Sequence, residues 1–74
     1  MLERIIETIA LYSKMDKELI DAETNIFDLD IDSLCFIKII MDVESAFGVR
    51  FEDEEIVEIR TAKDIENTVL HKFS

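Results

Sequence analysis

The chain opens with apolar residues at helical spacing. Leu2, Ile5, Ile6, Ile9 and Tyr12 recur three and four positions apart, which predicts an amphipathic helix over residues 2–14. The rhythm stops there. Residues 15–32 collect Asp, Glu, Thr and Asn without a helical or alternating period and read as a long, largely irregular connection, of a length that in so small a chain is often functional. Apolar density then rises sharply: Leu34, Cys35, Phe36, Ile37, Ile39, Ile40, Met41, Val43, Ala46 and Phe47 fill ten of the fifteen positions from 33 to 47. Asp32 stands where a helix N-cap belongs, with Ser33 as the first helical residue, and Gly48 supplies a left-handed stop. A short helix is expected from Glu52 to Ile59. Thr61, with Asp64 three positions on, makes a capping start for a last helix whose inner face carries Ile65, Val69, Leu70 and Phe73. The one strand candidate, Val49-Arg50-Phe51, is too short and has no pairing partner. The pattern predicts an all-α fold, a small four-helix bundle of three main helices and one short helix, in a single domain spanning residues 1–74.

The helix beginning at Ser33 is richer in apolar residues than one buried stripe requires. Phe36, Ile39, Ile40, Val43 and Phe47 form an inner face covering about half of it. Leu34, Ile37 and Met41 form a second stripe at i, i+3 and i+7. A helix in a 74-residue chain is not easily buried on all sides, so the second stripe is expected to line an exposed binding surface or a cargo cavity; core packing is the competing account.

Composition changes this picture mainly through charge. The net charge is −10, and residues 16–58 carry all of it: 14 acids stand there against Lys17, Lys38 and Arg50. Such a surface repels nucleic-acid backbones and anionic membranes and attracts basic protein partners, although solubility alone also explains it. A hydrophobic fraction of 49% suffices for a core, and the charges scattered through the first fourteen residues exclude a signal peptide or membrane span there. A single cysteine, Cys35, excludes an internal disulfide and suits a reducing compartment, so a cytoplasmic monomer is expected. Met1 and the short length suggest a discrete protein, though an excised domain with an added methionine reads the same way.

The octet FDLDIDSL, residues 27–34, is the place to look for chemistry. Asp28, Asp30 and Asp32 match the first three ligand positions of an EF-hand loop, but Ser33 stands where its glycine belongs and Ile39 where its bidentate glutamate belongs, so no metal is expected. A serine nucleophile would need a base, and the only histidine, His71, lies three residues from the chain end in the last turn of a helix. No oxyanion loop or nucleophile elbow accompanies Ser33. Catalysis by this chain is not expected. At a helix N-terminus, however, the macrodipole is positive and a phosphate ester on Ser33 would be accommodated. Asp-Ser as a plain capping pair is the alternative. Cys35 is either a small packing residue or an exposed thiol whose pKa the helix N-terminus lowers.

FDLDIDSL, the apolar helix ending in Phe47-Gly48-Val49, then Phe51, the acids after it and the restart at Thr61 together resemble the acyl carrier and peptidyl carrier proteins. The resemblance covers essentially the whole chain and is strongest from Phe27 to Ile65. It implies an acyl-carrier-type bundle with 4′-phosphopantetheine attached to Ser33 by a Mg²⁺-dependent phosphopantetheinyl transferase that draws it from coenzyme A. The arm's thiol would carry acyl, aminoacyl or peptidyl groups as thioesters between loading, condensing or tailoring enzymes. Asp32 matches the aspartate before the family's serine, with roles in capping and transferase recognition. Leu34, Ile37 and Met41 match apolar positions of the recognition helix, Lys38 lies among them, and Asp42, Glu44, Glu52 and Asp53 match the acidic rim that meets partners. Three departures stand out. Asp30 replaces a usual glycine, Glu52 a common proline, and Cys35 and Lys38 occupy positions that are acidic in fatty-acid-synthesis carriers. The last departure tilts the resemblance toward a peptidyl or secondary-metabolism carrier. The competing function is a small acidic helical interaction module without cofactor, in which Asp32-Ser33 is only a cap.

Overall fold

The computed structural model describes residues 1–73, so that Ser74, the last residue of the expected span, lies outside the described residues. Four α-helices and two 3₁₀ turns make up their helical structure: α1 (Leu2–Ser13), turns at Lys17–Leu19 and Ile26–Leu29, α2 (Ser33–Phe47), α3 (Asp53–Ile56) and α4 (Ala62–Phe73). α1 packs against both α2 and α4. The core is one cluster rich in isoleucine, with Ile5 and Ile9 from α1, Ile39, Ile40 and Val43 from α2, and Ile65 and Val69 from α4 all buried.

The helix boundaries follow from local chemistry. α1 ends where Lys14 turns left-handed (φ 62°) and its N–H bonds to the Ala10 carbonyl. α2 ends at Gly48, also left-handed (φ 68°), a conformation glycine adopts without a Cβ penalty. At the start of α4, Thr61 Oγ1 accepts from the Asp64 N–H at 3.1 Å while Asp64 Oδ2 accepts from the Thr61 N–H at 3.1 Å, a reciprocal cap.

One expectation gains detail and two need correction. Residues 15–32 are largely irregular, as expected, but carry two short 3₁₀ turns and specific anchors. Asn25 caps the second 3₁₀ turn by accepting from the Phe27 N–H, the Ile26 N–H bonds to the Arg60 carbonyl at 2.7 Å, and the Lys63 N–H bonds to the Ala22 carbonyl, so the connection is fastened to the start of α4. The short helix is four residues rather than eight, because the chain tightens into i→i+3 bonds after Ile56 and turns Ile59 into the core. On α4, Ala62, Ile65 and Val69 form the inner face, whereas Leu70 and Phe73 are 48% and 60% exposed. Leu70 lies one residue, about 100° of helical rotation, from Val69, and Phe73 ends the last turn.

Candidate functional site

The alternation in FDLDIDSL divides that stretch between core and solvent. Ile26, Leu29 and Ile31 are buried, while Asp28, Asp30, Asp32 and Ser33 are exposed. Leu29 and Ile31, with Ile26 just before the octet, anchor the segment, and the acids face water. Asp30 is left-handed (φ 60°) and closes the 3₁₀ turn at Ile26–Leu29. That is the strained conformation implied by an acid in a glycine position, and aspartate is among the few residues that tolerate it. Phe27 braces the turn against α2, its ring 4.9 Å from that of Phe36.

Ser33 therefore emerges exposed as the first residue of a 15-residue helix. Asp32 is extended (φ −87°, ψ 178°), and its Oδ1 accepts from the Cys35 N–H at 2.9 Å. That backbone bond, then a bond from the Cys35 thiol, holds the Asp32 carboxyl below the ordinary carboxylate range, with Lys38 a lesser contributor. Cys35 is half-buried, and its thiol is pushed up, chiefly by the bond to Asp32. This is the reverse of an activated thiol, so the reading of Cys35 with a lowered pKa is corrected: the bond to the neighbouring carboxylate favours the protonated thiol. Among the described residues no three His, Cys, Asp or Glu side chains converge as a metal site would require. The residues fit a phosphodiester instead: an accessible hydroxyl at the positive end of a long helix whose cap leaves that hydroxyl uncommitted.

The two faces of α2 separate as the spacing predicts. Phe36, Ile39, Ile40 and Val43 are buried, with Phe47 packed against them. Leu34, Ile37 and Met41 are 64%, 40% and 59% exposed, and Lys38 is exposed beside them. The acids expected on the rim are not equivalent. Glu52 and Asp53 are exposed where α3 begins. Asp42 accepts from the Tyr12 hydroxyl at 2.7 Å, a bond that raises the Tyr12 pKa. Glu44 is half-buried, and its Oε2 accepts from the Phe51 N–H at 2.7 Å. Glu44 is thus turned into the fold, because the chain after Gly48 folds back across the last turn of α2. Tyr12 and Phe51 carried no sequence signal for these roles, since each depends on a partner distant along the chain.

Two surface clefts lie elsewhere. One of about 360 Å³ between α3 and α4 is lined by Glu54, Glu58, Ile59 and Asn67 among others. The second, about 410 Å³, lies between α1 and α2 beside Arg4, Leu11 and Asp42. Neither borders Ser33.

Residues 3–69 match the family described as the phosphopantetheine attachment site. The chain is 43% identical over 63 residues to the acyl carrier protein of Syntrophobacter fumaroxidans, covering 84% of this chain and 78% of that protein. It is 32% identical over 75 residues to the acyl carrier protein of Petrotoga mobilis, covering 100% of this chain and 88% of that protein. The helical architecture, an accessible hydroxyl at the head of a capped helix and these similarities agree: the chain belongs to the acyl carrier family, whose members bear covalent 4′-phosphopantetheine and are substrates of enzymes rather than catalysts.

Proposed function

We propose that Ser33 is the attachment point of the arm and that the chain shuttles thioester-bound intermediates between biosynthetic enzymes as a monomeric carrier, one domain over residues 1–74. The observation that carries this reading is the exposed Ser33 hydroxyl at the first position of α2, with Asp32 capping the helix through the Cys35 amide. In the active site of a separate Mg²⁺-dependent transferase, Ser33 Oγ would lose its proton to a base of that enzyme and attack the phosphorus bearing the pantetheine of coenzyme A, forming a phosphodiester as the pyrophosphate bond breaks and adenosine 3′,5′-bisphosphate leaves. When bound, the arm supplies a terminal thiol that holds cargo as a thioester. The chain's own residues do the rest. Asp32 fixes the helix end, the positive macrodipole favours the phosphate, and Leu34, Ile37 and Met41 offer an apolar docking strip. Glu52 and Asp53, with Asp42, present negative charge to basic partner surfaces.

The test is intact mass after incubation with coenzyme A, Mg²⁺ and a broad-specificity phosphopantetheinyl transferase. The expected result is one added arm on the wild type and none on Ser33→Ala, whose circular dichroism stays unchanged. Equal gain by both proteins would remove Ser33 from the site.

The service of a polyketide or nonribosomal peptide pathway, rather than housekeeping fatty acid synthesis, is supported by Cys35 and Lys38, which replace acids near the arm with an apolar and a basic side chain. The expected outcome is slow malonyl loading by a malonyl transferase of fatty acid synthesis, compared with a carrier from that pathway. Equal rates would return the chain to fatty acid synthesis.

A further inference from the structure

Ser33 has two neighbours one turn along α2, at i+3 and i+4, and they differ in what surrounds them. Ile37 is exposed and leads to solvent, whereas Phe36 is only 6% exposed and belongs to the core. A group tethered at Ser33 that entered the bundle on this side would pass Phe36 and then meet Ile39 and Ile40, both buried. The Phe27 ring covers Phe36 in turn, 4.9 Å away between centres and tilted by 50°, within the range of attractive aromatic pairs.

Phe27 sits on a fastened turn. The Asn25 side chain accepts from the Phe27 N–H at 2.9 Å, the Asp28 N–H bonds to the Asn25 carbonyl at 3.0 Å, and the Ile26 N–H bonds to the Arg60 carbonyl at 2.7 Å. Swinging the turn away would break these bonds, and turning the ring alone would forfeit its contact with Phe36. Protein cores hold few voids larger than a water molecule, so an alkyl chain enters only where side chains yield. The two surface clefts offer no substitute at this point, since neither is lined by Ser33, Phe27 or Phe36.

We infer that Phe27 and Phe36 together plug the route from Ser33 into the bundle, so that cargo stays outside the fold and the chain carries short or polar acyl and aminoacyl groups in preference to long alkyl chains. A long alkyl chain left in water is penalised for every methylene it exposes, and a short or polar group is not. The inference rests on the proposed attachment at Ser33.

The experiment loads the chain with acetyl- or octanoyl-phosphopantetheine from the corresponding acyl-coenzyme A. It then measures cleavage of the thioester by hydroxylamine, which attacks the carbonyl and releases the arm's thiol. The ratio of octanoyl to acetyl rates for the free coenzyme A thioesters is the reference. On the wild type the ratio equals that reference, and the amide resonances of Ile40, Ile65 and Val69 coincide in the two forms. With Phe27→Ala and Phe36→Val combined, the octanoyl form is cleaved about tenfold more slowly than the reference ratio requires and melts above the acetyl form, because the chain now binds the folded state. Phe27→Ala alone removes the 41% exposed member, keeps the fold and slows octanoyl cleavage about threefold. Octanoyl protection or core amide shifts already present in the wild type would overturn the inference, and so would an unprotected octanoyl group in both folded variants. Either result leaves attachment at Ser33 intact. Failure of the wild type to accept the arm would overturn the attachment reading, and this inference with it.

Discussion

α2 and α3 are neighbours along the chain and are held in place by different forces. α2 spans 15 residues and sends Phe36, Ile39, Ile40 and Val43 into the core. α3 spans four residues and buries none of them. α3 rests only the partly buried Ile56 on the core, between buried Phe51 and Ile59, and polar contacts do more of the holding: Glu44 takes the Phe51 N–H just before it, Glu55 Oε1 accepts from the Glu52 N–H at 2.7 Å, and Lys72 from α4 reaches the same oxygen at 2.8 Å. Lys72 also lies over the Phe51 ring, 6.0 Å from its centre. The helix that presents Ser33 is therefore anchored by apolar burial, which pH and salt change little. Its neighbour has less apolar anchoring and leans on a few hydrogen bonds and one ion pair, which both conditions weaken. A carrier that must show one residue to many enzymes gains from a fixed α2, and α3 can respond to conditions without disturbing it.

The largest effect that breaks this contrast is removal of an α2 anchor. Ile39→Ala empties a fully buried position and is expected to lower stability by about 2–5 kcal/mol, with α1, α2 and α4 melting together in thermal denaturation. Glu44→Ala comes next. It leaves the Phe51 N–H without its acceptor and costs about 1–3 kcal/mol, with faster amide exchange confined to residues 49–56. Glu44→Gln keeps an acceptor and is expected to recover most of that protection. Uniform loss of protection through α2 in either variant would dissolve the distinction between the two helices.

Acid sharpens the comparison further. Bonds from the Glu52 backbone and from Lys72 hold the Glu55 carboxyl below its ordinary 4.5, and bonds from Cys35 hold that of Asp32 below its ordinary 3.8. Both folded values are depressed, so the stabilisation is complete above the ordinary values and is lost as pH falls through the folded ones. Amide exchange in α3 is expected to accelerate below about pH 4.5, before the α2 core loosens, and Glu55→Gln is expected to flatten that response. The smallest effect belongs to Lys72→Ala. Its ion pair is partly exposed and worth under about 1 kcal/mol, so the melting temperature moves little while high salt reproduces the change in α3 exchange.

The same division explains what could be read from the chain. α1, α2 and the capped start of α4 are written locally, in apolar spacing and in Asp32, Gly48, Thr61 and Asp64, each of which acts within four residues. The position of Ser33 at the head of α2 was legible for the same reason. The order within residues 15–32 was not, because it depends on Ile26 and Lys63 bonding to Arg60 and Ala22 across long stretches of chain. Glu44 looked like a surface acid until the folded chain brought Phe51 to it, and Asp42, which is exposed as expected, gave no sign of its bond to Tyr12. Leu70 and Phe73 were placed inside by apolar character alone, although Leu70 sits one residue off the Ile65–Val69 line and Phe73 at the helix end. Charge is the remaining distinction. Lys38 could be seen as a base among apolar residues, but the Tyr12–Asp42 bond beside it emerged only with the fold.

The central claim is that one serine of four, the one that begins α2, bears the arm. Tryptic digestion of the transferase-loaded protein followed by fragmentation tests it directly, because the peptide covering residues 18–38 contains Ser33 and no other serine. The account predicts that all of the added phosphopantetheine mass is found on that peptide and localises to Ser33. The same mass on the peptide covering residues 39–50, which holds Ser45, or on one bearing Ser13, would contradict it.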